Sequence, residues 1–144
     1  MDLKTLFIIV SIIAELVAYI PYLKDIIAGK TKPHLYTWII WVLTQGTALA
    51  GIWYGGGGLG ALILVISMFF STAICIYSIK YGTKNITKSD KVILTAALLA
   101  IAVWWLFDQP VISVIMVSVI DLIGYFPSYR KSFVEPWSET LFSW

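Results

Sequence analysis

The stretch Glu15-Leu16-Val17-Ala18-Tyr19-Ile20-Pro21-Tyr22-Leu23-Lys24 returns 106 positions later as Asp121-Leu122-Ile123-Gly124-Tyr125-Phe126-Pro127-Ser128-Tyr129-Arg130. An acid stands six before a proline, a tyrosine two before it and a base three after it, in both copies. Agreement of four chemical types at one offset marks an internal repeat, which has to be found before any element is assigned. Beyond the quoted stretch the match resumes after a three-residue gap, where Pro33, Thr37 and Trp41 align with Pro136, Thr140 and Trp144 at offset 103.

The repeat is set in an apolar chain. Hydrophobic residues are 60% of the 144 and charged ones 12%, an excess that one soluble core of this size cannot bury. From Pro33 to Ile79 there is no Asp, Glu, Lys or Arg in 47 consecutive residues, while one membrane crossing takes about 20 helical residues. The run Gly55-Gly56-Gly57-Gly58, beside Trp53 and Tyr54, divides this stretch into two crossings at 33–54 and 59–80. Further helices are expected at 4–27, 91–107 and 109–130. Lys4 before the first apolar segment also suits a signal peptide, but Glu15 interrupts that segment, no small-residue cleavage site follows, and the repeat runs through it.

Nine of the ten basic residues fall in three clusters: Lys24, Lys30 and Lys32; Lys80, Lys84, Lys88 and Lys91; Arg130 and Lys131. The glycine run and Asp108-Gln109-Pro110 carry none. The positive-inside rule then puts the N-terminus outside and the basic loops in the cytoplasm, with a prokaryotic plasma membrane as the expected location. Helices one and five enter from the same side, so the copies are parallel and helix four must invert the chain between them. The expected organisation is an all-α transmembrane bundle: a three-helix repeat over 1–80, a loop and linker helix over 81–108, and the start of a second repeat over 109–144. Nine residues from Pro136 make about 13 Å of helix, too short to cross, so the chain is expected to be a truncated form with five full helices and the start of a sixth, or a short protein that pairs with another chain.

A helix with a proline near its cytoplasmic end, a basic loop, a second proline and a second helix, repeated across a linker helix, resembles the SWEET/PQ-loop superfamily. Parallel repeats of this kind are one of the known transporter plans. The resemblance covers nearly the whole chain and implies transport of sugars, amino acids or related small solutes. It also implies that Pro21 and Pro127 act as hinges closing the cytoplasmic side. Tyr22 and Ser128 follow the prolines where the family name has glutamine, and helix three has no asparagine of the kind found in SWEET sugar pockets.

Glu15 and Asp121 carry the sharpest signal, because a carboxylate at the middle of a spanning helix costs about 2.5–3.5 kcal/mol. Each heads a polar stripe at helical spacing: Ser11, Glu15, Tyr19 and Tyr22; Ser118, Asp121, Tyr125 and Ser128. Two roles follow. Each acid either bonds a hydroxyl on a neighbouring helix and holds the bundle, or lines a central cavity and binds a proton, cation or polar solute. Pro21 and Pro127 leave the Val17 and Ile123 carbonyls without their helical partners, so the helices either bend or end there. Trp41 and Gln45, one turn apart on helix two, are pocket candidates, since aromatic faces beside amides suit sugar rings or flat heterocycles. Trp38, Trp104 and Trp105 are expected as interfacial anchors, and His34 as an interfacial polar residue. Ser67, Ser71 and Thr72 are expected to bond back to their own helix, and Gly46 and Gly51 to serve close packing.

The lone cysteine, Cys75, excludes a disulfide framework, and His34 has no second histidine or cysteine with which to hold a metal. No cofactor is expected. An enzyme is disfavoured, because no nucleophile, base and orienting group recur together. The expected partners are a small solute, the bilayer and, in an oligomer, further copies of the chain; a net charge of +2 does not suggest nucleic acid. The competing class is a membrane receptor, sorting or scaffold protein whose basic loops bind a partner.

Overall fold

Asp2 opens the first helix by accepting the Thr5 amide at 2.9 Å, satisfying one of the amides that a helix start leaves unpaired. The computed structural model describes residues 2–104, 106 and 110–140; Trp105, Asp108, Gln109 and Trp144 lie outside the described residues, as do the side chains of Tyr54 and Trp104. Five helices follow in order: α1 Leu3–Ile27, α2 Leu35–Tyr54, α3 Ala61–Tyr81, α4 Lys88–Trp104 and α5 Pro110–Val134. No strand occurs among the described residues. Three of the helices, α1, α2 and α3, are long and apolar enough to cross a membrane.

The glycine run makes the α2–α3 turn as expected. Gly56 and Gly58 have φ of +73° and +53°, a region that side chains rarely allow, and a Cβ at Gly57 would lie 2.1 Å from the Ile52 side chain. Pro21 and Pro127 do not end their helices. Each sits inside a continuous helix that runs on to Ile27 or Val134, which removes the alternative that they act as stops.

Two expected boundaries are corrected. The fourth helix begins at Lys88, not residue 91, because Thr87 and Asp90 cap it reciprocally: the Thr87 amide donates to Asp90 Oδ2 at 2.8 Å and the Asp90 amide to Thr87 Oγ1 at 3.4 Å. From Pro136 no sixth helix starts among the described residues. A single 3-10 turn, Pro136–Ser138, gives way to extended backbone at Glu139. The Ser138 carbonyl, which a helix would need, is taken by the Lys32 amide at 2.9 Å and by Lys131 Nζ at 2.9 Å.

α3 packs between α1 and α2, α2 packs on α5, and α4 lies against both α5 and α2. α2 therefore joins two apolar clusters: Tyr22, Ile26, Trp38 and Ile74 on one side, Ile40, Ala97 and Ile120 on the other. Gly124 sets the α2–α5 approach, since a Cβ there would stand 3.1 Å from Ile40 Cγ2 and 3.2 Å from Trp41 Nε1. Gly46 meets Met68 at ordinary contact distance, whereas Gly51, also expected at a close contact, has open space around it. The outer face of α1 is apolar and open, with Phe7, Ile13 and Val17 all more than half exposed. Such a face is stable against lipid and costly in water.

Candidate functional site

Between α1 and α5, floored by α2, lies a cavity of about 720 Å³. Glu15 and Tyr19 line it from α1, Trp41 from α2 and Tyr125 from α5, so four of the expected pocket residues come together. Gln45 and Asp121 do not line it. Tyr22, Ser128 and Trp38 complete much of the wall, and Glu139 closes one end. Trp38, expected as an interfacial anchor, is instead 4% exposed, because the Tyr22 ring and Ile74 pack on it inside the bundle.

Ring contacts run without a break from α1 to α5. Tyr22 lies 5.4 Å from Trp38, Trp38 meets Trp41 edge-on at 5.0 Å and 84°, and Trp41 meets Tyr125 at 4.7 Å and 67°. These are the offset and edge-to-face arrangements that aromatic quadrupoles favour. Tyr125 then stacks on Tyr129 at 5.6 Å, and on the other side Tyr19 stacks on Phe70 at 5.2 Å.

Glu15 is held from α3. The Ser67 hydroxyl donates to Glu15 Oε1, and one turn further Tyr19 and Ser71 share a hydrogen bond at 3.5 Å. Ser67 thus does not bond back to its own backbone, because a carboxyl 52 positions earlier stands opposite it, and Ser71 meets the Tyr19 hydroxyl at the same interval. Glu15 Oε2 is buried without a hydrogen-bond partner among the described residues. Asp121 Oδ1 and Gln45 Oε1 are in the same condition. The hydroxyl neighbour of Asp121 is Thr44 of α2, whose proton goes to the Trp41 carbonyl at 3.2 Å.

The end of the bundle where α1, α3 and α5 finish carries a charged cluster that the sequence reading did not single out. Asp90, fully buried, accepts Arg130 Nε at 3.0 Å and Nη2 at 2.7 Å, a bidentate fork. Arg130 Nη2 also donates to the Asn85 carbonyl at 2.7 Å. His34 Nε2 lies 3.3 Å from Asp90 Oδ2, within ion-pair reach but outside hydrogen-bond geometry. His34, expected as an interfacial polar residue, is fully buried in the protein, because α2 begins against the loop leading into α4. Burial lowers the His34 pKa, and the Asp90 carboxylate only partly restores it. Burial by itself would raise Asp90, but the bonds from Arg130 and Thr87 outweigh it and hold the carboxyl below its usual value. A second buried set joins Lys131 to Glu139, whose Oε2 accepts the Tyr22 hydroxyl at 2.9 Å. Beside it, Thr140 bonds Thr31 and donates to Asp25 at 2.9 Å.

The Thr87–Asp90 pair was findable, as a threonine followed three residues later by an acid before an apolar run. Glu139 was not, since its partner Tyr22 is 117 positions away. Among the described residues no three His, Cys, Asp or Glu side chains gather as metal ligands do. Comparison with protein-family models, with curated proteins and with solved structures finds no match to this chain.

Proposed function

We propose that this chain is a membrane transporter of the SWEET/PQ-loop kind, carrying a small polar solute by alternating access. One observation carries the reading: both copies of the repeated motif contribute to a single cavity, Glu15 and Tyr19 from the first and Tyr125 and Ser128 from the second, with Trp41 between them. A volume of about 720 Å³ is of the size that small-molecule sites use. Pro21 and Pro127 lie within the two helices that flank the cavity, where a missing amide lets a helix bend and widen one end. In this reading five helices cross the membrane, the repeats are parallel, and the cluster around Asp90 and Glu139 is the closed cytoplasmic end.

The receptor or scaffold alternative relied on free basic loops as partner sites. Arg130 and Lys131 are used inside the protein, on Asp90 and Glu139, which weakens that alternative. The test is uptake of labelled solutes into liposomes with and without a pH gradient, beside Glu15→Gln and Asp121→Asn. Transport is expected, with Glu15→Gln the more damaging change because Glu15 lines the cavity and Asp121 does not. Absence of uptake for every solute by folded protein returns the chain to the receptor class.

A further inference from the structure

We propose that the cavity takes an organic ammonium cation, with Glu15 as its counter-charge and the tryptophan and tyrosine rings as its walls. The proposal rests on the solute-site reading above and names the class of solute.

The first argument is charge. Among the described residues, two carboxylates line the cavity and no Lys, Arg or His does. Glu139 is already balanced, by the Lys131 ammonium on one oxygen and the Tyr22 hydroxyl on the other. Glu15 has only the Ser67 hydroxyl, and the ion pairs of the described residues are those of Asp90 and Glu139, none of them involving Glu15. A carboxyl in an apolar setting either holds a proton or pairs with a positive charge, and an ammonium solute entering the cavity supplies that charge.

The second argument is hydrogen-bond direction. Tyr22 donates its one hydroxyl proton to Glu139, Ser128 donates to Thr37 at 3.0 Å, and Ser132 donates to the Ser128 carbonyl at 2.9 Å. These three hydroxyls have spent their donors and keep lone pairs, and a donor left on this wall is the Trp38 Nε1–H, buried without a partner among the described residues. A sugar or an anion needs donors from its site, whereas an ammonium group needs acceptors and π faces.

The third is shape. Trp38 and Trp41 stand at 84° and Trp41 and Tyr125 at 67°, so successive rings turn corners. Walls at large angles box a rounded cation; a flat heterocycle would call for parallel faces. Aromatic cages for quaternary ammonium groups are built this way.

The experiment is a tryptophan-fluorescence titration of the full chain in lipid nanodiscs, with Trp38→Phe and Trp41→Phe variants identifying the share of the signal that the two cavity tryptophans give among the seven of the chain. The probes are tetramethylammonium chloride, sodium chloride at equal ionic strength, and glucose. A saturable response to tetramethylammonium alone is expected, weakened about tenfold or more by Glu15→Gln and retained in Glu15→Asp. Near-UV circular dichroism identifies any variant that fails to fold, and Glu15→Asp then supplies the comparison on a folded background. Glucose binding as tightly, with Glu15→Gln unchanged, overturns the cation class and leaves the solute site standing. An equal response to sodium overturns it in favour of an inorganic ion. No saturable response to any probe, confirmed by calorimetry, removes the solute-site reading and this proposal together.

Discussion

The two copies of the acid–tyrosine–proline–base motif share chemistry but not surroundings. In α1 the acid faces a cavity and is met by Ser67, the tyrosine is met by Ser71, and the base, Lys24, is exposed. In α5 the acid has Thr44 of α2 as its hydroxyl neighbour, the tyrosine packs on Trp41, and the base, Arg130, is locked onto a fully buried Asp90. One small difference in sequence accounts for part of this. Gly124 stands where the first copy has Ala18, and it lets α5 lie directly on α2, whereas Ala18 lines the open cavity. A repeated motif therefore fixes which groups face inward at a given depth; the residues opposite decide which of them bind and which of them brace.

The largest test of that contrast is at the bases. Arg130→Met leaves Asp90 as a buried charge without its fork and is expected to cost about 3–5 kcal/mol, while Lys24→Met changes stability by less than about 0.5 kcal/mol. Unfolding in detergent reads both, and equal effects would erase the asymmetry. Next come the small residues. Gly124→Val pushes against Ile40 and Trp41 and is expected to cost about 1–3 kcal/mol through overpacking, whereas Ala18→Val projects into space and costs less. Smaller again is the serine rung: Ser67→Ala is expected to lose about 0.6 kcal/mol, the average for hydrogen bonds between helices in membranes, and Thr44→Val less, since its proton goes to a carbonyl of its own helix.

The smallest effect is one of pH, and it belongs to the cluster that locks the second copy's base. Because burial lowers the His34 pKa, the unfolded chain binds a proton at His34 more readily than the folded one. Its contribution to stability is complete above the unfolded value of 6.5 and is lost as pH falls below it. His34→Gln is expected to flatten the fall in unfolding temperature just below pH 6.5, before the carboxylates titrate. An unchanged slope would show that Asp90 and Arg130 hold the end without sensing the proton.

The five helices and the glycine turn were legible because they follow from apolar run length and glycine punctuation, which are local. The start of a sixth helix expected at Pro136 failed, because the Ser138 carbonyl is taken by Lys32 from far along the chain and by Lys131 of the preceding helix. Glu15, Tyr19, Trp41 and Tyr125 were legible as cavity candidates because an acid in an apolar helix and a repeated spacing stand out without knowledge of neighbours. Trp38 was not, since an interfacial tryptophan and a buried one near a helix start look alike until Tyr22 and Ile74 are seen against it. The pairs Tyr22–Glu139, Thr31–Thr140 and Asp90–Arg130 were hidden for another reason: their members lie 117, 109 and 40 positions apart, and no spacing rule reaches across such intervals.

Those long intervals also set an order of events in biosynthesis. The Tyr22 and Thr31 hydroxyls and the Lys32 amide each bond a group in residues 138–140. At about 5–20 residues per second, α1 exists for roughly 5–20 s before the chain that completes its polar end has been made. During that interval the end of α1 must be served by water or lipid headgroups. Closure of that end therefore waits for the residues that follow the fifth helix, and a chain stopped before residue 138 leaves it open.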